Sequence, residues 1–424
     1  MSELAILGGT KSIDAEFKKY NSLGQEELDA AQAVIESGVL SQYLGTWHED
    51  FYGGPKVREF EKAICDFFDV KHAVTVNSWT SGLVAAVAAI DVQPGDEVIV
   101  TPWTMSASAA AILHCNAIPV FADIDRQTYN LCPKSVEKNI TAHTKAIMVA
   151  DIFGLSADMD AIMTIARNHG LKVISDSAQA PGARYKDKWA GTLADVGGFS
   201  LNYHKHIHTG EGGILVTNDD WIAERLQLIR NHAEVVVEGK GVTYLSNMIG
   251  HNFRLGEIEC AMGIEQLRKL PKLIKSRQVL AEKLSSGLSD LPGLHGPHIP
   301  SNYEHVYYVL PFQIDEDTLG ISRDQICAAI AAEGVPVTNR YQNIHLLPTY
   351  KNKIAFGRDG FPWSSDICKR DVSYKKGICP NAEELQDKHF FGIGMCVYDL
   401  EADEVDQIIG AIRKVWANID HLKE

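Results

Sequence analysis

Short apolar runs alternate with helix-like stretches through most of the first two thirds of this 424-residue chain. The apolar runs lie at 72–76, 97–100, 118–121, 146–149, 171–175, 197–201 and 213–216. Helical patterns between them lie at 81–90, 158–169 and 221–230. Runs that are apolar throughout are typical of strands covered on both faces. The alternation therefore predicts an α/β fold in which helices flank a mostly parallel sheet.

The pattern changes after this region, and the chain is too long for one compact core of ordinary size. A long helix is predicted at about 255–288, broken or bent at Pro271. A strand is predicted at 305–314, followed by a helix whose first turn carries a capping box, Ser322 with Gln325.

The end of the chain favours one more helix, because the apolar residues of 405–416 fall on one helical face. The polar segment 348–380, which glycines and prolines interrupt, is predicted to be a long ordered loop. We therefore expect an N-terminal arm and helix (1–54), a large domain (55–286) and a smaller α+β domain (287–424).

The charge and the cysteines exclude some classes of partner. A formal net charge of −15 argues against nucleic acid, so an anionic ligand must be held by a local cluster of donors. We expect no secretory signal and no membrane-spanning segment. The eight cysteines are scattered without a Cys-x-x-Cys pair, which predicts free thiols in a reducing cytoplasm.

One lysine stands where an apolar run ends and a cluster of glycines begins. Residues 197–213 contain a single lysine, Lys205, flanked by histidines. Glycines allow the backbone to approach a ligand closely. A lysine whose pKa is lowered by a dry setting, or by the charge of those histidines, can attack a carbonyl group. Taken alone, the segment fits an exposed lysine on a turn better.

Two further segments place polar side chains at the ends of predicted strands. Asp176 directly follows the run 171–175, at the edge of an open sheet where ligands bind. Its carboxylate can pair with a protonated ring nitrogen, or can simply cap a helix. Ser78, Trp79 and Thr80 open a helix, whose first N–H groups bind phosphate well, although a capped helix without a ligand fits equally.

Together these segments resemble the pyridoxal 5′-phosphate (PLP)-dependent sugar aminotransferases of the DegT/DnrJ/EryC1/StrS family. The likeness runs from about Gly54 to Gly263 and, more weakly, to the C-terminus. The matching residues are Phe199, Ser200, Lys205 and 210–213, Asp176 with Gln179, the phosphate turn 78–80, and 252–254. The resemblance implies PLP-dependent transferase fold type I, the fold of aspartate aminotransferase.

The resemblance also implies roles for these residues. Lys205 would carry PLP and move a proton, Asp176 would pair with the ring nitrogen, and Gln179 would lie near the ring hydroxyl. Asn252 of a second subunit would complete the phosphate site, which implies a homodimer with shared active sites. Further cofactor contacts are implied for Ser78, Trp79, Thr80, Met105 and Ser200.

Two departures from the family's pattern bear on the site. Trp79 stands where the family has glycine, so its side chain is expected to point away from the phosphate. Met105 stands where the family stacks an aromatic residue on the PLP ring; its thioether could cover the ring, or Trp103 could take that place. Relatives with histidine instead of the lysine are dehydratases, and Lys205 therefore favours aminotransfer.

Three histidines invite a metal hypothesis. His204, His206 and His208 would share one face of a strand, where three imidazoles could bind zinc. The family likeness explains this segment without a metal, and we predict none.

The loop 338–345 and the segment 202–208 bear on the substrate. Arg340 replaces a histidine that helps shape the sugar pocket of relatives. A guanidinium group suits a carboxylate or a phosphate of the substrate. An arginine that is merely exposed at the surface is an equal interpretation. Substrate contacts are predicted for Trp103, Arg340, Tyr341 and His345. The two segments resemble the branch that makes 8-amino-3,8-dideoxy-manno-octulosonate (8-amino-Kdo), a lipopolysaccharide sugar, from its 8-keto form and L-glutamate, releasing 2-oxoglutarate.

Two alternatives stay open at this point. The acceptor could be a nucleotide-diphospho-4-keto-6-deoxyhexose, the commoner kind of substrate among such relatives. The chain could also be a non-catalytic regulatory or binding protein with a PLP-type fold, although a carrier would not need the acid–base lysine, Lys205.

Overall fold

The structure is a computed structural model and describes residues 3–423. Its helices are α1 (Gln25–Ser37), α2 (Pro55–Phe68), α3 (Trp79–Ala89), α4 (Ala107–His114), α5 (Pro133–Asn139), α6 (Met159–His169), α7 (Asp220–Arg230), α8 (Ala233–Lys240), α9 (Glu257–Leu288), α10 (Glu316–Leu319), α11 (Arg323–Ala332), α12 (Pro348–Lys351), α13 (Pro380–Glu384) and α14 (Ala402–Ala417). Its strands are β1 (His72–Val76), β2 (Glu97–Val100), β3 (Ile118–Phe121), β4 (Thr144–Ala150), β5 (Lys172–Asp176), β6 (Arg184–Tyr185), β7 (Lys188–Trp189), β8 (Val196–Ser200), β9 (Gly213–Thr217), β10 (Leu294–His295), β11 (Tyr303–Glu304), β12 (Val309–Ile314) and β13 (Phe390–Gly394).

A seven-stranded sheet organises the larger part of the chain, in the order β1-β9-β8-β5-β4-β2-β3. The strands from β8 to β3 run parallel, and β9 runs antiparallel to both β1 and β8. The carboxyl ends of all strands except β9 therefore lie along one edge. Asp176 ends β5 and Ser200 ends β8 at this edge, and Ser78 follows β1 there. The predicted α/β fold with a mostly parallel sheet is confirmed.

The predicted strands and helices of this region match the structure to within two residues at each end. The long helix is not broken at Pro271, because α9 runs continuously through it; a bend there stays a prediction. A proline removes one N–H donor from the helix, but the residues on both sides remain helical.

A second core lies around the antiparallel sheet β10-β12-β13 and includes side chains of α11 and α14. Leu4 and Ile13 belong to this core, so the N-terminal residues pack against the C-terminal part of the chain. The predicted helices are present, and the capping box of Ser322 and Gln325 is confirmed.

The segment 348–380 packs on the large sheet, not on the second core. Tyr350, Val372 and Tyr374 are buried there. The division of the chain into an arm, a large domain and a small domain stays a prediction. A third, short sheet has the order β11-β6-β7. Within residues 3–423, no helix combines the length and the apolar character needed to cross a membrane.

The strand predicted at 305–314 begins later than expected, at Val309. Tyr307 has a φ of 53°, a left-handed conformation that interrupts extended backbone. His305 Nδ1 accepts a hydrogen bond from the Tyr307 N–H at 2.8 Å, which stabilises this turn. The residue after the turn, Tyr308, lines the cavity described next.

Candidate active site

A cavity of about 390 Å³ opens at the carboxyl edge of the large sheet. Its walls come from the ends of β4, β5 and β8, from the start of α3, and from segments after β2 and before β12. The structure brings together at this cavity most residues predicted for the site: Ser78, Trp79, Thr80, Met105, Asp176, Gln179, Ser200, Lys205 and Tyr341.

Lys205 lies in a turn after β8, with its side chain buried in the cavity wall. Burial lowers the pKa of its amine from 10.5 to about 8, against the opposing charge of Asp176. Burial also lowers the pKa of His204 to about 4 and that of His206 well below 6.5. Both histidines are therefore neutral near pH 7, and the lysine owes its lowered pKa to burial, not to their charge.

Three donors hold the carboxylate of Asp176. Trp79 Nε1 donates to Oδ1 at 2.6 Å, and Ser108 Oγ donates to Oδ2 at 2.6 Å. The backbone N–H of Ala178 adds a longer hydrogen bond to Oδ1 at 3.3 Å. All three donors are neutral, so none of them forms an ion pair with the carboxylate. The sequence did not predict the contact between Trp79 and Asp176.

The start of α3 forms another wall of the cavity. Ser78 caps this helix, and its Oγ accepts a hydrogen bond from the Ser81 N–H at 3.0 Å. The first N–H groups of a helix have no partner within the helix and carry partial positive charge, which suits an anion. Thr80 is exposed beside them, and Ser200 is buried across the cavity.

Gln179 and Tyr341 are hydrogen bonded to each other at the cavity. Gln179 Nε2 donates to the Tyr341 hydroxyl at 2.8 Å, and Gln179 Oε1 accepts from the Phe153 N–H at 2.8 Å. Burial raises the pKa of Tyr341 to about 12, so its hydroxyl is protonated at neutral pH. Because Tyr341 lines the cavity, one residue of the predicted substrate loop 338–345 does reach the site.

Trp103 does not line the cavity, which corrects its prediction as a stacking or substrate residue. Its side chain is fully buried and packs edge-on against Tyr341 and Phe390, with ring centroids 5.8 Å and 5.1 Å away. A residue so enclosed supports the wall from behind. Met105 does line the cavity, but it is 61% exposed and therefore lies at the mouth.

Arg340 and His345 also lie outside the cavity, against the prediction that they bind substrate. Arg340 is exposed and forms an ion pair with Asp324 at 3.1 Å. His345 is fully buried, with its Nε2 2.9 Å from Glu383 Oε1. One residue is held on the surface and the other in the core, and neither faces the site.

Asn252 is exposed and does not line the cavity of its own chain. Its backbone carbonyl accepts a hydrogen bond from Asn77 Nδ2 at 3.3 Å, and the Phe253 carbonyl accepts from the Asn77 N–H at 2.8 Å. The segment is therefore fixed beside the start of α3. The Asn252 side chain lies at the surface, where its Oδ1 accepts a long hydrogen bond from the Arg254 N–H at 3.5 Å.

The three histidines do not share a strand face, because His204, His206 and His208 lie in the irregular segment between β8 and β9. His206 Nε2 is hydrogen bonded to the Val306 carbonyl at 2.8 Å, whereas His204 lines the cavity. In the described range 3–423, no group of three or more His, Cys, Asp or Glu side chains is arranged to hold a metal ion.

Sequence reasoning missed three residues of the site. Ser108 and Tyr308 gave no signal, since neither ends a predicted strand. Asp151 did have one, because it follows the apolar run 146–149 as Asp176 follows its own run. It lines the cavity and accepts a hydrogen bond from Ser177 Oγ at 2.5 Å, and burial raises its pKa to about 6.

The cavity offers what PLP requires. A buried amine with a lowered pKa can form a covalent link to an aldehyde, a buried carboxylate can face the ring nitrogen, and a helix start can receive the phosphate. The carboxylate is that of Asp176, which ends β5. The amine is that of Lys205, which follows the neighbouring parallel strand β8. Fold and site together define a PLP-dependent aminotransferase.

The comparisons with known proteins agree with this class. The chain belongs to the DegT/DnrJ/EryC1/StrS aminotransferase family, whose model matches residues 23–411. It is 32% identical over 407 residues to the spore coat polysaccharide biosynthesis protein SpsC of Bacillus subtilis, covering 94% of this chain and 96% of that protein. It is 36% identical over 302 residues to the GDP-perosamine synthase of Caulobacter vibrioides, covering 70% of this chain and 79% of that protein.

A solved structure is also similar, the aminotransferase from Psychrobacter cryohalolentis, with a TM-score of 0.82 and 28% identity. The match covers 96% of this chain and all (100%) of that one. The protein is therefore a PLP-dependent enzyme, a sugar aminotransferase that acts on a nucleotide-linked or free keto-sugar. The alternative of a non-catalytic protein is not supported.

Proposed function

We propose that the enzyme transfers the amino group of L-glutamate to the aldehyde carbon of 8-keto-3,8-dideoxy-manno-octulosonate, giving 8-amino-Kdo. The size of the cavity carries this proposal. Its volume of about 390 Å³ must take PLP as well as the acceptor. It lies at the small end of the roughly 300–1,000 Å³ found for ligand pockets. A compact free sugar acid suits this space, whereas a nucleotide would extend beyond it.

The charge of the cavity supports the same acceptor. Among its described lining residues, Lys205 is the cationic side chain, and His204 is neutral because burial lowers its pKa to about 4. A nucleotide diphosphate needs donors or cations to offset its charge in a protein of net charge −15. A sugar acid has a single carboxylate, which can remain at the open mouth while its hydroxyls meet His204, Tyr308 and Tyr341.

We assign the chemical roles as follows. When bound, PLP acts as an electron sink that lets an amino group pass between two carbonyl compounds. Lys205 would link to it and would move a proton at the α-carbon of glutamate; without cofactor its amine has a pKa of about 8. Asp176 would face the ring nitrogen, and Ser78 and Ser200 would hold the phosphate together with the start of α3.

We also propose a homodimer in which Asn252 reaches the phosphate site of the partner. Asn252 is exposed while its backbone is fixed beside Asn77. The neighbouring segments expose large apolar side chains, as surfaces covered by a partner do: Trp47 (43%), Val235 (58%), Leu245 (57%) and Ile249 (76%). The cytoplasmic location and the role in lipopolysaccharide synthesis stay predictions of the sequence.

The test follows the cofactor's visible absorbance through the two halves of the reaction. The PLP-loaded enzyme is first converted by L-glutamate to the aminated cofactor. The 8-keto-octulosonate is then added and should restore the original band, with 8-amino-Kdo identified by mass spectrometry. Lys205→Ala is the control and should show neither change. Failure of the octulosonate to restore the band would exclude this acceptor.

A nucleotide-diphospho-4-keto-6-deoxyhexose is the second candidate. The 36% identity to GDP-perosamine synthase favours it. In the same experiment, restoration of the band by such a nucleotide sugar alone would establish this acceptor, with the nucleotide lying outside the cavity of one chain. L-Glutamine in place of L-glutamate in the first step tests the amino donor.

A further inference from the structure

We propose that Trp79 is a positioning residue for the cofactor, whose indole fixes the Asp176 carboxylate in the orientation that the ring nitrogen of PLP requires. The indole Nε1 donates to Asp176 Oδ1 at 2.6 Å. Both side chains are 6% exposed, so water competes little for this hydrogen bond. The inference concerns cofactor binding and is independent of which sugar is the acceptor.

Two glycines leave space for the indole. Gly82 lies one turn after Trp79 on the same face of α3, and a Cβ there would lie 3.0 Å from indole Cε3. A Cβ at Gly198, in β8, would collide with the Ile214 carbonyl oxygen and would lie 2.6 Å from indole Cζ3, so the neighbouring strand and the indole both require glycine there. A Cβ at Gly82 would press on the indole from the side of α3. The local structure therefore accommodates a tryptophan turned toward Asp176.

A second donor completes the restraint on the carboxylate. Ser108, which is fully buried, donates through its Oγ to Asp176 Oδ2 at 2.6 Å. Each oxygen of Asp176 thus has a side-chain donor, which restricts rotation of the carboxylate. An ionised carboxylate can accept about four hydrogen bonds, and three are made here, so one acceptor position remains for a ring N–H. Because the carboxylate is oriented before PLP arrives, binding does not include the entropy of orienting it.

The test measures PLP binding to the apo-protein rather than turnover. Trp79→Phe keeps an aromatic ring but removes the N–H donor. We expect its dissociation constant for PLP to rise about tenfold, since a hydrogen bond to a charged group contributes on this order. We also expect a weaker visible circular dichroism band, because the cofactor ring is held less firmly. A loss of packing alone would leave the intensity of this band unchanged at saturating PLP.

Trp103→Phe is the matched control. Trp103 is fully buried near the site, and its Nε1 has no hydrogen-bond partner among the described residues. The same substitution there removes an indole N–H that contacts neither Asp176 nor the cavity. We expect its PLP dissociation constant and circular dichroism to match those of the unmodified protein.

Gly82→Ala tests the same contact should Trp79→Phe fail to fold. Alanine favours a helix over glycine by about 1 kcal/mol, so weaker PLP binding would not come from a weakened α3. The added Cβ lies 3.0 Å from the indole and shifts it slightly, which weakens its hydrogen bond to Asp176, and we expect a smaller loss of affinity, about threefold. Unchanged or tighter PLP binding in the folded variant would overturn the proposal, and tighter binding would mean that the indole competes with the ring nitrogen.

Discussion

The Nζ atom of Lys205 lies 4.3 Å from the centre of the Tyr308 ring. An aromatic face attracts an ammonium group and so favours the charged amine. The ring also covers the amine and excludes water, which favours the neutral form. Because the pKa of Lys205 is lowered to about 8, burial outweighs the attraction. Tyr308 thus helps to prepare the nucleophile before any cofactor is present.

We expect the stability of the apo-protein to rise with pH between about 8 and 10.5, the two pKa values of Lys205 in the folded and unfolded chain. In this window the unfolded chain binds a proton that the folded chain lacks, so raising the pH favours folding. Lys205→Met removes this dependence and should raise the free energy of unfolding near pH 7 by up to about 3 kcal/mol. Urea titrations of both proteins at about pH 7 and about pH 9.5 measure the difference; parallel pH dependences would contradict it.

Tyr308→Ala should move the pKa of Lys205 back toward 10.5, because water then reaches the amine. Only the neutral amine links PLP, so the rate of linkage should rise with pH. The midpoint of this rise should be about 8 in the unmodified protein and higher in the variant. Stopped-flow absorbance of apo-protein mixed with PLP gives both curves. Tyr308→Phe keeps the ring and should retain the midpoint of the unmodified protein. Equal midpoints in all three proteins would show that the ring does not set the pKa.

The sheet and the central pair of the site could be predicted from the sequence, because both depend on local pattern. Asp176 ends one apolar run and Lys205 follows another, and parallel strands bring such ends to one edge. The start of α3 was predictable for the same reason, since Ser78 follows the first run. Short-range periodicity places these residues at or just after the ends of strands, whereas their roles as a cofactor site were predicted from the resemblance to the family.

The rest of the site depends on contacts between distant parts of the chain. The direction of the Trp79 side chain, at the start of α3, depends on Gly198 in β8, and the sequence showed only that the residue is large. Tyr308 reaches the cavity because of the left-handed turn at Tyr307, which no alternation of residues announces. Arg340 was misplaced because the path of a loop is not fixed by residue type, and the structure pairs it with Asp324.

Arg340→Ala should have little effect on catalysis, whereas Tyr341→Phe should have a large one. The ion pair of Arg340 with Asp324 is exposed and contributes only about 0–1 kcal/mol, so the KM for the acceptor should change less than about twofold. Tyr341→Phe removes the hydroxyl that accepts from Gln179 at 2.8 Å, and kcat/KM should fall about tenfold. Steady-state kinetics with saturating amino donor compares them. A large rise in KM for Arg340→Ala, with little effect of Tyr341→Phe, would restore the carboxylate role predicted for Arg340.

Lys205→Ala and Asn252→Ala should complement each other if the proposed dimer shares its active sites. In a dimer of one variant, both sites carry that variant's defect. Lys205→Ala removes the amine from both sites, and Asn252→Ala removes the amide that reaches the partner's phosphate site. Asn252 is exposed and does not line the cavity of its own chain, so its substitution should leave the fold intact. In a mixed dimer, one site combines the intact Lys205 of one chain with the intact Asn252 of the other, while the second site carries both changes. Activity after co-expression should therefore exceed that of either parent and approach half of the unmodified level in the mixed species, isolated through two different affinity tags. Activity equal to the mean of the two parents would show that each site is complete within one chain, and Asn252 would then have no role in the partner's site.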